Sequence, residues 1–210
     1  MLEARIASVI GAVARQALAD RGLRRVALLD DGGPEAALAA RILSAELGPG
    51  AVVRVQVEAG EVEPVLHLLG GDADAERAAD GLRGLRARML ADALPASPAN
   101  RTALLLGGDL PPEPLLPLGE LYAGEVAALA GGWSVPSAVR RIVEAAGGVD
   151  ALDEALRRWI DRRDPHGLDA LPDEARDAVR RAFAAGRAGR AWPHLVPKLG
   201  YRTLGVDLHE

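Results

Sequence analysis

The strongest constraint on the fold lies between residues 24 and 47. Arg24-Arg25-Val26-Ala27-Leu28-Leu29-Asp30 is a short apolar run that ends at Asp30-Asp31-Gly32-Gly33, the pattern of a buried parallel strand meeting a turn. The alanine-rich segment from Pro34 to Leu47 follows at once. It carries Leu38, Ile42 and Leu43 at helical spacing, Pro34 in its first turn and Gly48 just past its end, the expected marks of a helix. A strand that feeds through a glycine turn into a helix is the first part of a βαβ unit, and it points to a layered α/β fold with a mostly parallel sheet.

The rest of the chain extends that pattern. Ala51 to Val57 reads as a second strand by its valines, Val65 to Leu69 as a third and Thr102 to Leu106 as a fourth, with a long arginine-rich helix from Asp74 to Leu94 between the last two. After Pro117 only helices are expected, over Glu120 to Ala130, Ser137 to Ala146, Ala151 to Arg163 and Pro172 to Ala185. Glycine pairs and Asp164-Pro165-His166-Gly167 separate them, as helix breakers do. The tail from Trp192 to Glu210 is mixed, and Tyr201 to Val206 reads as a short edge strand or an ordered loop. No repeat and no low-complexity linker interrupts the chain, so a single domain is expected.

Composition narrows the class. The 210 residues carry 25 Lys+Arg against 30 Asp+Glu, a net charge of -5, which argues against a protein that binds nucleic-acid phosphates or an anionic membrane surface. Without cysteine there is no disulfide scaffold, thiolate zinc site or cysteine nucleophile. The N-terminal stretch has Ile6, Val9, Ile10, Val13 and Leu18 at helical spacing and charges at Glu3, Arg5 and Arg15, which reads as an amphipathic helix rather than a signal peptide. No apolar run approaches the roughly 20 residues of a membrane span, and a cytoplasmic location is the default expectation.

The turn at Asp31-Gly32-Gly33-Pro34-Glu35 is the first place able to carry chemistry. A glycine turn between a strand and a helix leaves backbone N–H groups at the carboxyl edge of the sheet, where phosphate binds in α/β folds; the bland alternative is a capped tight turn. His67, His166, His194 and His209 show no paired ligand spacing, so no metal site is expected from them. Trp133, Trp159 and Trp192 read as core or interface anchors. There is no Gly-x-Ser-x-Gly elbow to support a hydrolase triad.

Four segments, in order, resemble the ammonia-dependent NAD synthetases, members of the N-type ATP pyrophosphatases. Their strand-Ser-Gly-Gly-x-Asp-Ser-helix loop corresponds to residues 31 to 36. Leu85-Arg86-Ala87-Arg88-Met89 is similar to their Ala-Arg-x-Arg-Met, and Leu106-Gly107-Gly108-Asp109 stands for the Gly-Thr-Gly-Asn at the end of their next strand. Leu116-Pro117-Leu118-Gly119-Glu120-Leu121-Tyr122-Ala123, running on to Leu129-Ala130 and Val135-Pro136, looks like their Pro-(Leu/Ile)-Gly-Asp-Leu-Tyr-Lys helix and its Gly-Val-Pro ending.

The resemblance implies an adenine nucleotide alpha-hydrolase-like fold, a three-layer parallel sheet flanked by helices. Residues 1–118 would form the nucleotide-binding core and residues 119–210 a helical C-terminal part. It implies nucleotide binding by Asp31, Gly32, Gly33, Glu35, Gly107 and Asp109, Mg²⁺ at Glu35 with ATP as cofactor, and an anion site at Arg86 and Arg88. For those two arginines the competing and favoured reading, given how arginine-rich the chain is, is a solvated, ion-paired helix face. A homodimer is also implied.

The departures from the family change that expectation. Asp31 replaces the serine of the phosphate loop, and two like charges about 4 Å apart repel by roughly 1 kcal/mol even in water. Ala36 lacks the second hydroxyl, and Ala123 stands where the family has lysine. Only Leu110 to Leu116, with three prolines, fills the interval in which the family carries a substrate loop. Lys198 is the only lysine of the chain. No residue is therefore assigned a catalytic role. ATP and Mg²⁺ binding is expected to be weak or lost, and the chain to act as a structural, regulatory or nucleotide-binding partner, alone as a dimer or with a partner protein. The competing expectation is an active ATP-dependent amide ligase.

Overall fold

In the computed structural model the described residues are 2–68, 75–107, 114–187 and 195–197. The chain runs α1 (Leu2–Arg21), β1 (Arg25–Leu29), α2 (Pro34–Leu47), β2 (Val52–Val55), α3 (Ala59–Leu68), α4 (Ala75–Met89), β3 (Ala93–Ala96) and α5 (Arg101–Leu106). It continues with α6 (Ala123–Ala130), α7 (Ser137–Ala145), α8 (Val149–Leu156), a π-helical turn over Arg157–Asp161 and α9 (Asp173–Arg187).

The sheet is parallel with strand order β2-β1-β3, Val26 opposite Val52 on one side and Leu94 on the other. Single bridges from Ala96 to Leu115 and from Leu115 to Leu195 carry the pairing two further steps. Alternation along β1 sorts the layers. Val26 and Leu28 are fully buried against Ile10, Ala14, Leu38 and Leu43 of α1 and α2, whereas Ala27 faces Ala87 and Ala93 on the α4 side. The outcome is the three-layer α/β fold expected from the resemblance.

A second core lies beyond the sheet, where Val139, Ile142, Leu152, Leu156, Leu168, Ala175 and Val179 pack with Leu104, Leu105 and Tyr122. Trp159 meets Phe183 edge-on, with ring centroids 4.9 Å apart, a favoured aromatic geometry. The segment from 115 to 126 lies between the cores. Leu115, Leu118, Leu121 and Val126 belong to the first, and Leu116, Tyr122 and Ala123 to the second.

Three sequence expectations are corrected. Val65–Leu69 does not form a strand: residues through Leu68 belong to α3, despite Pro64 inside that helix. Thr102–Leu106 is not a strand but most of α5, which Asn100 caps by accepting the Ala103 N–H at 2.9 Å; an asparagine cap overrides the apolar run that suggested a strand. The helix expected over Asp74–Leu94 ends at Met89, and Leu94 lies in β3. The strand reads as helix because its four residues, Ala93-Leu94-Pro95-Ala96, include no β-branched side chain. Tyr201–Val206 and Lys198 lie outside the described residues. No helix among the described residues is long and apolar enough to cross a membrane.

Candidate functional site

A cavity of about 810 Å³ opens at the carboxyl ends of β1 and β3, within the size range of small-molecule sites. The β1–α2 turn contributes Asp31, Gly32, Gly33 and Glu35; Ser97 to Asn100 follow β3; Gly107 ends α5; Ser134 to Pro136 precede α7. From α4 come Glu76, Asp80, Arg83 and Arg88, and from α7 comes Arg140.

The turn satisfies its own backbone. Asp30 Oδ1 accepts the Gly32 N–H at 2.9 Å, and Asp31 Oδ1 accepts the Gly33 N–H at 2.8 Å. The amides of both glycines are thus each bonded to a carboxylate two residues earlier, the local bond that aspartate forms readily. Gly32 takes φ +81° with nothing within 4 Å of a built Cβ, whereas a Cβ on Gly33 would lie 2.9 Å from Asp31 Oδ1.

Asp30 is buried and also accepts from Gln56 Nε2 at 2.7 Å and Arg54 Nε at 2.6 Å. Burial pushes its carboxyl up, but the bonds from Arg54, Gly32 and Gln56 outweigh it and hold the group below the usual carboxylate range. Asp31 is exposed, and its Oδ2 accepts no bond among the described residues.

Glu35 turns inward. Its carboxylate, 4% exposed, accepts the Ser134 N–H on both oxygens at 2.8 and 2.9 Å, the Ser134 hydroxyl at 2.6 Å and Asn100 Nδ2 at 2.9 Å. A carboxylate offers about four lone-pair directions, and these contacts use them. Glu35 therefore clamps three chain segments and does not fit a magnesium ligand in this arrangement. Among the described residues no group of three or more His, Cys, Asp or Glu is placed to hold a metal.

The two arginines of the expected anion site part company. Arg86 is not on the cavity wall: its guanidinium binds both oxygens of Glu61 and the Gln56 carbonyl, joining α4 to α3. Arg88 lines the cavity and reaches back to donate from Nε to the Gly84 carbonyl at 3.1 Å. Arg83 lines it too, largely buried and paired with Asp80 at 2.5 Å. Helical spacing separates them, since 80, 84 and 88 share a face that 86 leaves.

The segment expected to match Gly-Thr-Gly-Asn shifts as well. Leu106 and Gly107 lie at the end of α5 and not of a strand, and Ser97-Pro98-Ala99-Asn100 are the residues that follow β3. Asp109 lies outside the described residues. The interval from Asn100 to Pro117 contains all of α5. Asn100, Ser134 and Arg140 are site residues that sequence reasoning missed. An asparagine just before an apolar helical run was the one available signal, as a cap.

The Leu-Tyr motif is buried behind the cavity rather than on it. Ala123 is fully buried and donates its N–H to Thr102 Oγ at 3.0 Å, while Thr102 donates to Asp153 at 2.6 Å. Gly124 N–H also donates to Asp153, at 2.7 Å. Asp153 thus caps the positive end of α6. Burial pushes its carboxyl above the ordinary range, against the pull of Thr102, Gly124 and Arg157. Tyr122 donates to Asp161, which also binds Arg101, and burial raises its hydroxyl pKa well above normal.

No protein-family model matches the chain, and no curated protein sequence does. Among solved structures it is similar to an ammonia-dependent NAD synthetase from Campylobacter jejuni, determined with the nitrate ion. Sequence identity is 15%, with a TM-score of 0.65 over 92% of this chain and 99% of that one. The likeness runs the length of both chains and places this chain in that fold.

Proposed function

We propose that this chain is an NAD-synthetase-like protein that keeps a ligand cavity at the carboxyl edge of the sheet but does not turn over ATP, and that acts as a regulatory or structural binding partner. The bond from Gly33 N–H to Asp31 Oδ1 carries this reading. A triphosphate in the turn needs those amides and would meet a carboxylate in their place. Two observations support it. Glu35 spends its lone pairs on Ser134 and Asn100, and position 123 is a buried alanine in the second core, so no cation reaches the cavity from there to offset developing charge.

The deciding assay is pyrophosphate release from Mg-ATP with nicotinate adenine dinucleotide and ammonia. The reading expects release at background level. Sustained turnover contradicts it and establishes the amide-ligase alternative. The same reading makes the protein cytoplasmic and a homodimer, and a single monomeric species in light scattering at micromolar concentration would contradict the dimer.

A further inference from the structure

We infer that the cavity takes an amphoteric ligand, with a protonated amine or guanidinium seated on Asp31 and a phosphate or carboxylate seated on Arg88 and Arg140. This inference rests on the reading that the cavity binds a ligand while its turn no longer holds phosphate.

The wall carries charges of both signs, and the ones without a full set of partners are the ones open to a ligand. Asp31 gives Oδ1 to the Gly33 N–H, which fixes the side chain, and leaves Oδ2 without a bond among the described residues. A fixed, exposed carboxylate beside a turn whose amides are already satisfied attracts a cation and repels an anion. α4 brings both signs to the wall, Glu76 and Asp80 with Arg83 and Arg88, and α7 adds Arg140. The Arg88 guanidinium makes one bond, to the Gly84 carbonyl, and the Arg140 guanidinium makes no bond or ion pair among the described residues, although both line the cavity. Arg83 is paired with Asp80 and adds little net charge, and Glu76, the other α4 carboxylate on the wall, is itself engaged. Between the two seats the wall is apolar or small, with Gly84, Pro98, Ala99, Ala103 and Leu104. A ligand carrying one charge would leave the other seat solvated. A ligand carrying both engages each with a charge-assisted bond.

The test uses isothermal titration of the full chain with 6-aminohexyl phosphate, hexylamine, inorganic phosphate and Mg-ATP. The expected result is that the aminoalkyl phosphate binds about tenfold or more tighter than either single-charge probe, the size of one charge-assisted bond. Asp31→Asn keeps the acceptor for Gly33 but removes the charge, and should erase the gain from the amine while leaving inorganic phosphate binding unchanged or stronger. Arg140→Gln, on an exposed helix position, should weaken both phosphate-bearing probes. Equal affinity for phosphate and aminohexyl phosphate, an unchanged ratio in Asp31→Asn, or no binding of any organic probe at millimolar concentration would each overturn the inference. Tight Mg-ATP binding with the amine preference intact would instead contradict the functional reading alone.

Discussion

Asp31 Oδ1 accepts the Gly33 N–H at 2.8 Å, and with that contact a side chain holds the place at which a strand–glycine–helix turn ordinarily presents its amides to phosphate. The neighbouring pair, Asp30 with Gly32, repeats the geometry one residue earlier from a buried position. The turn is thus built from two consecutive aspartates of different duty: Asp30 anchors the sheet edge through Arg54 and Gln56, and Asp31 faces the cavity.

Asp30→Asn should lower stability at neutral pH, because one of its oxygens becomes an amide that cannot accept from Arg54 or Gln56. The folded-state pKa of Asp30 lies below its ordinary value. Its contribution is therefore present above the unfolded carboxylate pKa, about 3.9, and is lost as pH falls through the lower folded value. Urea midpoints of wild type and Asp30→Asn should differ at pH 7 and converge as the pH falls below about 4. A constant difference down to pH 2 contradicts the assignment.

Glu35→Ala leaves Ser134 N–H, the Ser134 hydroxyl and Asn100 Nδ2 without their shared acceptor, and should cost on the order of 3 kcal/mol. Added Mg²⁺ should not change the melting temperature of the wild type through this residue. A variant as stable as wild type, or a magnesium-dependent stabilisation abolished by Glu35→Ala, would count against its role as a clamp.

Thr102→Val removes the hydroxyl that joins Asp153 to the Ala123 N–H and should cost about 2 kcal/mol. Chemical denaturation measures it directly, and a change near zero would show that the cap on α6 does not depend on this bridge.

Gly167→Ala places a Cβ within 2.3 Å of Trp159 N and 2.6 Å of its Cα. The loop then cannot lie against the π-helical turn, and a loss of about 3 kcal/mol is expected from overpacking against backbone. Thermal denaturation with an unshifted midpoint would contradict the close approach.

The elements with strong local signals were legible from sequence. Pro34 to Leu47 has a proline start, helical spacing and a glycine stop, and α2 has those bounds. β1 is likewise a continuous apolar run. What failed was arbitration between short apolar runs. Residues 102 to 106 read as strand until Asn100 is seen as a cap, and residues 93 to 96 vanish into a helical pattern because their pairing partners in β1 are nearly seventy residues earlier in the chain. In the site, local reasoning found the turn but not its bonding. An aspartate two residues before a glycine is compatible with the local bond from Gly33 to Asp31, whereas Glu35 meeting Ser134 is a contact across 99 positions, which no local pattern encodes. Arg86 and Arg88 carry the same local signal, and only the face of α4 toward the cavity separates them.

The most direct test of the central claim compares Mg-ATP binding by the wild type and by Asp31→Ser in isothermal titration. If Asp31 closes the turn to phosphate, the serine variant should bind at least about tenfold tighter, equivalent to roughly 1.4 kcal/mol. Equal affinities, or tighter binding by the wild type, would contradict the account.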